Sequence, residues 1–172
     1  YLANQAWFDP LKPPAELYPL AVENLLSPRE FRREFFSEIL SRYRKPSPGY
    51  DSLAAMCERH LVSHFFTTNF DSLIETSLLR RRPIIRSVDT INKAPPGDHA
   101  VFSPNRKAQV IYLHGSIETY TDRNLTSETL SLDPSLVTRI HSLVAYSPVV
   151  VVGYRGSETS VMNDFFEQAR EI

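Results

Sequence analysis

The stretch His64-Phe65-Phe66-Thr67-Thr68-Asn69-Phe70-Asp71 decides the fold predicted for this chain. It is an apolar run that ends on an amide and a carboxylate, directly before a helical pattern. Two later stretches repeat the arrangement: Val110-Ile111-Tyr112-Leu113 leads into His114-Gly115-Ser116, and Val149-Val150-Val151-Val152 leads into Gly153-Tyr154-Arg155-Gly156-Ser157. We interpret each run as a buried strand whose carboxyl end carries polar or glycine residues.

Apolar strands that alternate with helical patterns predict an α/β fold. Strands that are apolar throughout are typical of parallel sheets with both faces covered, and such sheets bind ligands beyond the carboxyl ends of their strands. A fourth strand is predicted at Ile84-Ile85-Arg86-Ser87-Val88. We therefore expect a Rossmann-like, mainly parallel sheet with helices on both faces. Its ligand site is expected where Asn69, His114 and Gly153 converge.

The first part of the chain is expected to supply helices to this sheet. Ser27 and Pro28 match a helix N-cap and a first helical position. The spacing of the apolar residues that follow predicts an inward-facing stripe of Phe31, Phe35, Ile39, Leu40 and Tyr43. Four prolines before Ser27 predict a wrapping segment with at most short helical turns. Residues 1–172 are expected to be one domain, with a helical and loop segment at 1–49 and the sheet core at 50–172.

Composition narrows the classes of function. The 172 residues carry a net charge of -1 and are 42% hydrophobic, which is enough apolar content for a core and lacks the basic excess of a nucleic-acid-binding protein. No apolar stretch approaches the roughly 18 residues that span a bilayer. We therefore expect a cytoplasmic protein with no membrane partner and no direct nucleic-acid binding. The single cysteine, Cys57, excludes an internal disulfide and a four-cysteine zinc site within the chain.

Three motifs, in order, carry a resemblance to a known family. Thr67-Thr68-Asn69-Phe70-Asp71, Leu113-His114-Gly115 and Val151-Val152-Gly153-Tyr154 resemble the core of the SIR2-like, sirtuin-related fold. The resemblance is closest to the bacterial SIR2-like domains that hydrolyse NAD in anti-phage defence. It spans residues 51–166, and each motif lies at the end of a predicted strand.

Two features of the family are missing from this sequence. Cys57 alone cannot form the zinc ribbon of four cysteines that sirtuins bear, so the resemblance implies a domain without zinc and disfavours a protein deacylase. The Gly-Ala-Gly turn that normally meets the pyrophosphate is also absent, because Gly49 is the only glycine before Tyr50. We therefore expect an incomplete SIR2-like domain, whose turn lies upstream in a longer parent chain or has been lost.

The resemblance implies a substrate, NAD, and a set of site residues. Asn69 corresponds to the amide that orients a water and contacts the ribose, His114 to the general base, and Asp71 to the residue that contacts the nicotinamide carboxamide. The expected nucleotide contacts are Thr67, Thr68, Gly115, Gly153, Tyr154 and Ser157. Cleavage of the nicotinamide–ribose bond develops positive charge on the sugar, and it needs a placed water and a proton acceptor but no metal ion. The expected activity is therefore NAD glycohydrolysis, which gives nicotinamide and ADP-ribose.

Each of these residues also has a purely structural interpretation. Asp71 can be only the N-cap of the next helix, Asn69 only a turn residue with an unusual backbone conformation, and His114 only a strand-end histidine. Ser157 can be an ordinary helix cap. The alternative function is therefore a catalytically inactive SIR2-like module that binds a nucleotide or a partner, such as a second copy or another domain of a longer protein. Fold analogy alone does not choose between the two.

Overall fold

The computed structural model describes residues 4–82, 84–85, 87–91, 108–119, 121–123, 125–156 and 158–167. The chain divides into two compact units. One is Arg33–Asp122, and the other combines Tyr1–Arg32 with Arg123–Ile172. That residues 1–172 act as one domain stays a prediction.

A parallel sheet of three strands lies at the centre of the unit Arg33–Asp122. The strands are β1 (His64–Thr67), β2 (Val88–Ile91) and β3 (Ala108–Tyr112). β3 lies between the other two, and both of its pairings are parallel. The prediction of an α/β, Rossmann-like, mainly parallel sheet is therefore confirmed.

The central strand β3 is buried on both faces. Alternate residues of a strand point to opposite faces, and here Ala108, Val110 and Tyr112 share one face while Gln109 and Ile111 share the other. All five side chains are buried. On the first face they join a core that β1, α3 (Pro48–Glu58) and α4 (Leu73–Leu79) complete with Phe65, Ala54, Cys57, Ile74 and Leu78. Burial on both sides explains why β3 is apolar almost throughout.

The other unit is helical where the structure describes it. Its elements are α1 (Pro14–Leu25), the start of α2 (Arg29–Arg42), a 3-10 turn (Thr126–Glu128), α5 (Pro134–Val144) and a π-helical segment (Val161–Glu167). The Asp133 carboxylate accepts hydrogen bonds from the backbone N–H groups of Ser135 and Leu136, so it caps α5 in the expected manner. None of the helices in the described part of the chain combines the length and the apolar character that crossing a membrane requires.

The N-terminal segment is more helical than its prolines predicted. α1 extends over 12 residues, with Pro14 at its first position and Pro19 in its interior. A proline at the first position is harmless, because the N–H that it lacks has no partner within the helix. Pro19 removes one interior bond but does not end α1, so the prediction of short helical turns is wrong.

The predicted inward face of α2 is also wrong. Phe31, Phe35 and Tyr43 are 62%, 45% and 68% exposed, whereas Arg32 is only 4% exposed. The Arg32 guanidinium lies 3.5 Å from both carboxylate oxygens of Glu128, so the buried arginine of α2 is paired with a partly exposed carboxylate. Periodicity locates a helix, but it does not show which neighbour the helix packs against.

Two predicted strands differ from the structure. Residues 149–152 form no strand, and their four valines are 43%, 76%, 52% and 68% exposed. The β propensity of valine reflects its fit to a paired, half-buried surface, and no described strand pairs with this run. In the stretch 84–88, Ile84 and Ile85 lie in a turn and the strand begins only at Val88. Ile85 is apolar because it belongs to the core.

Candidate functional site

The carboxyl ends of β1 and β3 are aligned. Thr67, the last residue of β1, is in register with Tyr112, the last residue of β3. The ladder extends one step further through a 2.9 Å hydrogen bond from the Leu113 N–H to the Thr67 carbonyl. Asn69 and His114 each follow two residues after this final pair. The structure therefore brings both candidate residues to the same edge of the sheet, on neighbouring strands.

Asn69 is exposed and is held at two points. Its backbone N–H donates to Thr67 Oγ1 at 3.0 Å, and its side-chain Nδ2 donates to the Tyr50 hydroxyl oxygen at 3.2 Å. Among the described non-glycine residues, only His60 has a positive φ. Asn69 is therefore not a turn residue with an unusual backbone conformation, and that structural interpretation is wrong. Thr68, beside it, is half-buried.

Asp71 contacts the start of α4, but the N-cap position of this helix belongs to Ser72, so the interpretation of Asp71 as the N-cap is wrong. Its Oδ1 accepts a hydrogen bond from the Leu73 N–H at 2.9 Å, at the start of α4. Burial raises the pKa of the Asp71 carboxyl, and the charges of Glu118 and Glu75 raise it further, whereas the hydrogen bond from Leu73 opposes the shift. The anionic form of Asp71 is therefore less favoured than that of a solvated aspartate.

His114 differs from Asn69 in its exposure. Only 3% of His114 is accessible to solvent. The next residue, Gly115, has a φ of 73°, and a Cβ atom at this position would lie 2.1 Å from the Thr121 carbonyl oxygen. Glycine is therefore required by the backbone itself, whether or not a nucleotide approaches it. Asn69 is the more accessible of the two aligned residues.

One hydrogen bond joins the loops that follow β1 and β3, and two more, from Tyr112 of β3, reach the first loop and α4. We call these segments the β1 loop (residues 68–72) and the β3 loop (residues 113–122). The Ser72 hydroxyl donates to Glu118 Oε1 at 2.6 Å, which joins the two loops directly. The fully buried Tyr112 hydroxyl lies 3.0 Å from the Asp71 carbonyl oxygen and also hydrogen-bonds to the Glu75 carboxylate. These contacts fix the β1 loop against the sheet.

Sequence reasoning missed Tyr50 and Tyr112 as parts of this edge. Tyr112 lies within an apolar run of the sequence, and this pattern predicts only an aromatic residue of the core. Burial, and then the bond to Glu75, raise the pKa of the Tyr112 phenol well above its ordinary value, so it stays neutral. Tyr50 lies near the start of α3, and no local pattern links it to Asn69.

Gly153 and Tyr154 belong to the other compact unit. Gly153 is exposed and has a φ of 70°. The Tyr154 hydroxyl donates to the Glu158 carbonyl oxygen at 3.3 Å, and its ring centroid lies 6.2 Å from that of Phe166. Ser157 lies outside the described residues. The expected convergence of these residues with Asn69 and His114 stays a prediction.

The single cysteine serves packing. Cys57 is a buried free thiol in the core between α3 and the sheet, and burial raises its pKa, which disfavours the reactive thiolate. Among the residues that the structure describes, no group of three or more His, Cys, Asp or Glu side chains is placed to hold a metal ion.

The parallel sheet and its aligned polar strand ends define a Rossmann-like α/β protein with a candidate ligand site at the carboxyl edge of the sheet. The family model for the SIR2-like domain matches residues 63–172. The chain therefore belongs to the SIR2-like domain family, which confirms the resemblance that the three motifs carry. No curated protein matches the chain at a significant level. Membership of this family indicates a function that involves NAD.

Proposed function

We propose that this chain is an NAD-hydrolysing domain that releases nicotinamide and ADP-ribose in the cytoplasm, as part of a bacterial anti-phage defence system. The observation that carries the proposal is the alignment of Thr67 with Tyr112, which puts Asn69 and His114 at equal distances along the chain past the ends of paired parallel strands. An amide can place the attacking water and an imidazole can accept its proton, which are two tasks in the hydrolysis of an N-glycosidic bond.

In the proposed reaction, a water molecule adds to C1′ of the nicotinamide ribose as the bond from C1′ to the nicotinamide nitrogen breaks. Nicotinamide leaves as a neutral molecule with the electron pair of that bond. The proton that the water loses passes to His114, which acts as the general base. The products are nicotinamide, ADP-ribose and one proton, so atoms and charge balance.

Asn69 is proposed to place the water and the ribose. Its side chain is exposed, and the bond from Nδ2 to Tyr50 restricts its orientation. An amide oxygen accepts hydrogen bonds from water and from sugar hydroxyls, and it stabilises positive charge that develops on the ribose without any change in its own protonation. Asp71 is proposed to contact the nicotinamide carboxamide, while its Oδ1 also accepts the bond from Leu73.

One observation favours the alternative function, a module that binds a nucleotide or a partner without catalysis. A general base must approach the proton that it accepts, and only 3% of His114 is exposed. Asn69, in contrast, is open to a ligand. An exposed Asn69 and a buried His114 are what we expect of a protein that binds NAD without cleaving its nicotinamide–ribose bond.

Nicotinamide release from NAD, measured by chromatography, separates the two functions. In an intact parent protein that carries the Gly-Ala-Gly turn, we expect the wild type to release nicotinamide, Asn69→Ala to abolish release, and His114→Ala to lower it by about 10²–10⁴-fold. Thermal melts of each variant identify losses caused by unfolding. A His114→Ala rate within about threefold of wild type would exclude the general-base role. If both variants melted normally and consumed NAD at the wild-type rate, hydrolysis at this site would be ruled out.

A further inference from the structure

We propose that Tyr50 is the positioning residue for Asn69, and that its hydroxyl group also contributes to binding a ribose hydroxyl. This inference rests on the proposed function, because it assigns a task to Tyr50 in the same site. It starts from the 3.2 Å hydrogen bond in which Asn69 Nδ2 donates to the Tyr50 hydroxyl oxygen.

The position of the Tyr50 ring is itself fixed. Tyr50 lies near the start of α3, is half-buried, and packs against the core formed by α3, α4 and the sheet. The ring therefore connects a rigid part of the protein to a side chain on an exposed loop. Asn69 has no comparable packing, since it is exposed and lies beyond the end of β1.

The bond to Tyr50 determines which atom of the Asn69 amide is available to a ligand. The carboxamide is planar, and its nitrogen and oxygen point in different directions from the same carbon. When Nδ2 donates to Tyr50, Oδ1 is directed away from the phenol. The exposed side chain then presents an acceptor to a ligand, which is the atom that a water or a sugar hydroxyl requires.

The Tyr50 hydroxyl supplies the complementary group. Its oxygen accepts the bond from Asn69, so its own proton can be donated to another atom. Burial raises the pKa of the Tyr50 phenol, and the nearby Asp71 carboxylate raises it further, so the phenol keeps its proton at neutral pH. Asn69 Oδ1 and the Tyr50 O–H together form an acceptor beside a donor. A ribose hydroxyl, which donates one hydrogen bond and accepts another, matches this pair.

The substitution Tyr50→Phe tests the proposal because it removes one oxygen and keeps the ring that packs against the core. Tyr43→Phe is the matched control, since Tyr43 is 68% exposed. We expect Tyr50→Phe to lower the kcat of nicotinamide release by about two- to tenfold, the effect of one lost hydrogen bond, with an unchanged melting temperature. Tyr43→Phe should match wild type in both measurements.

A second measurement does not depend on catalysis. The side-chain NH2 group of Asn69 gives a pair of proton–nitrogen NMR signals, which are identified by their loss in Asn69→Ala. We expect Tyr50→Phe, but not Tyr43→Phe, to shift this pair toward the values of a solvated asparagine. Unchanged Asn69 signals, or nicotinamide release within about twofold of wild type, would overturn the proposal. If wild-type protein released no nicotinamide, the hydrolase proposal would fail, and the NMR signals alone would then decide whether Tyr50 positions Asn69.

Discussion

The Ser72 hydroxyl donates to Glu118 Oε1 at 2.6 Å, and this bond joins the loop that carries Asn69 to the loop that carries His114. We expect Ser72→Ala to lower the free energy of unfolding by about 1 kcal/mol, because one hydrogen bond is lost at a partly solvated site. Nicotinamide release should fall as well, since the two loops lose a direct connection. Urea unfolding and chromatography measure both effects. Ser37→Ala, at an exposed position of α2, is the control, and equal behaviour of the two variants would contradict this role for Ser72.

The raised pKa of Asp71 predicts a pH-dependent effect of Asp71→Asn. Because the folded-state pKa lies above the ordinary value of about 3.9, wild-type protein loses stability relative to its unfolded state as the pH rises from about 4 through that raised pKa. Asparagine does not ionise, and its side-chain oxygen can still accept the bond from Leu73. The variant should therefore match wild type at about pH 4 and be the more stable of the two at neutral pH.

Urea unfolding of both proteins across this pH range tests the sign of the effect. A variant that is less stable than wild type at pH 7 would show that the Asp71 charge stabilises the fold. Nicotinamide release should nevertheless fall in Asp71→Asn. The proposed contact with the carboxamide NH2 group needs a hydrogen-bond acceptor, and asparagine has a donor NH2 group in place of one of the two carboxylate oxygens. A gain in stability together with a loss of activity would separate the functional role of Asp71 from its structural contact with Leu73.

Two glycines should respond in opposite directions to the same substitution. Gly115→Ala should lower the free energy of unfolding by about 2 kcal/mol or more, because the new Cβ would lie 2.1 Å from a backbone oxygen at a positive φ. Gly49→Ala should raise it by about 0.5 kcal/mol, because Gly49 lies within α3 and its Cβ would make an ordinary 3.6 Å contact with Ser47. Thermal melts of the two variants give the comparison. A mild effect at Gly115 would mean that the β3 loop can change its path.

The ion pair of Arg32 predicts a difference between two Glu→Gln substitutions. Glu128→Gln should destabilise the protein by about 1–3 kcal/mol, because it leaves the charge of the buried Arg32 without its counter-charge. Glu38→Gln removes the partner of Arg42, but both of those side chains are about two-thirds exposed, so the change should stay within about 0.5 kcal/mol. Chemical denaturation of both variants checks the ranking. Equal losses would show that Arg32 does not depend on Glu128.

The sequence predicted the parts of the fold whose physical cause is local to the chain. Residues 64–67 and 108–112 form adjacent parallel strands, and a strand that is covered on both sides must be apolar at nearly every position. The same signal failed for residues 149–152. A run of valines favours a strand only where a neighbouring strand pairs with it and half of its surface is buried. Whether such a neighbour is present depends on tertiary structure, and these four valines are exposed.

The sequence predicted where two candidate site residues lie, whereas their roles stay predictions. Asn69 and His114 are candidates because the sequence shows polar residues directly after apolar runs. In the structure, the register of β1 and β3 places these two residues at the same edge of the sheet. The bonds from Asn69 to Tyr50 and from Ser72 to Glu118 join residues far apart in the chain, so no spacing rule reveals them. The burial of His114 likewise depends on residues that surround it in space.

The position of β3 between β1 and β2 also constrains the order in which the protein folds. The two outer strands come first in the chain, but they do not pair with each other in the finished sheet. When the chain has left the ribosome only as far as Ile91, β1 and β2 are therefore present but β3, which pairs with both, is not. Parallel pairing between distant segments closes long loops and forms slowly, so the core of the unit Arg33–Asp122 cannot close before Tyr112 is available.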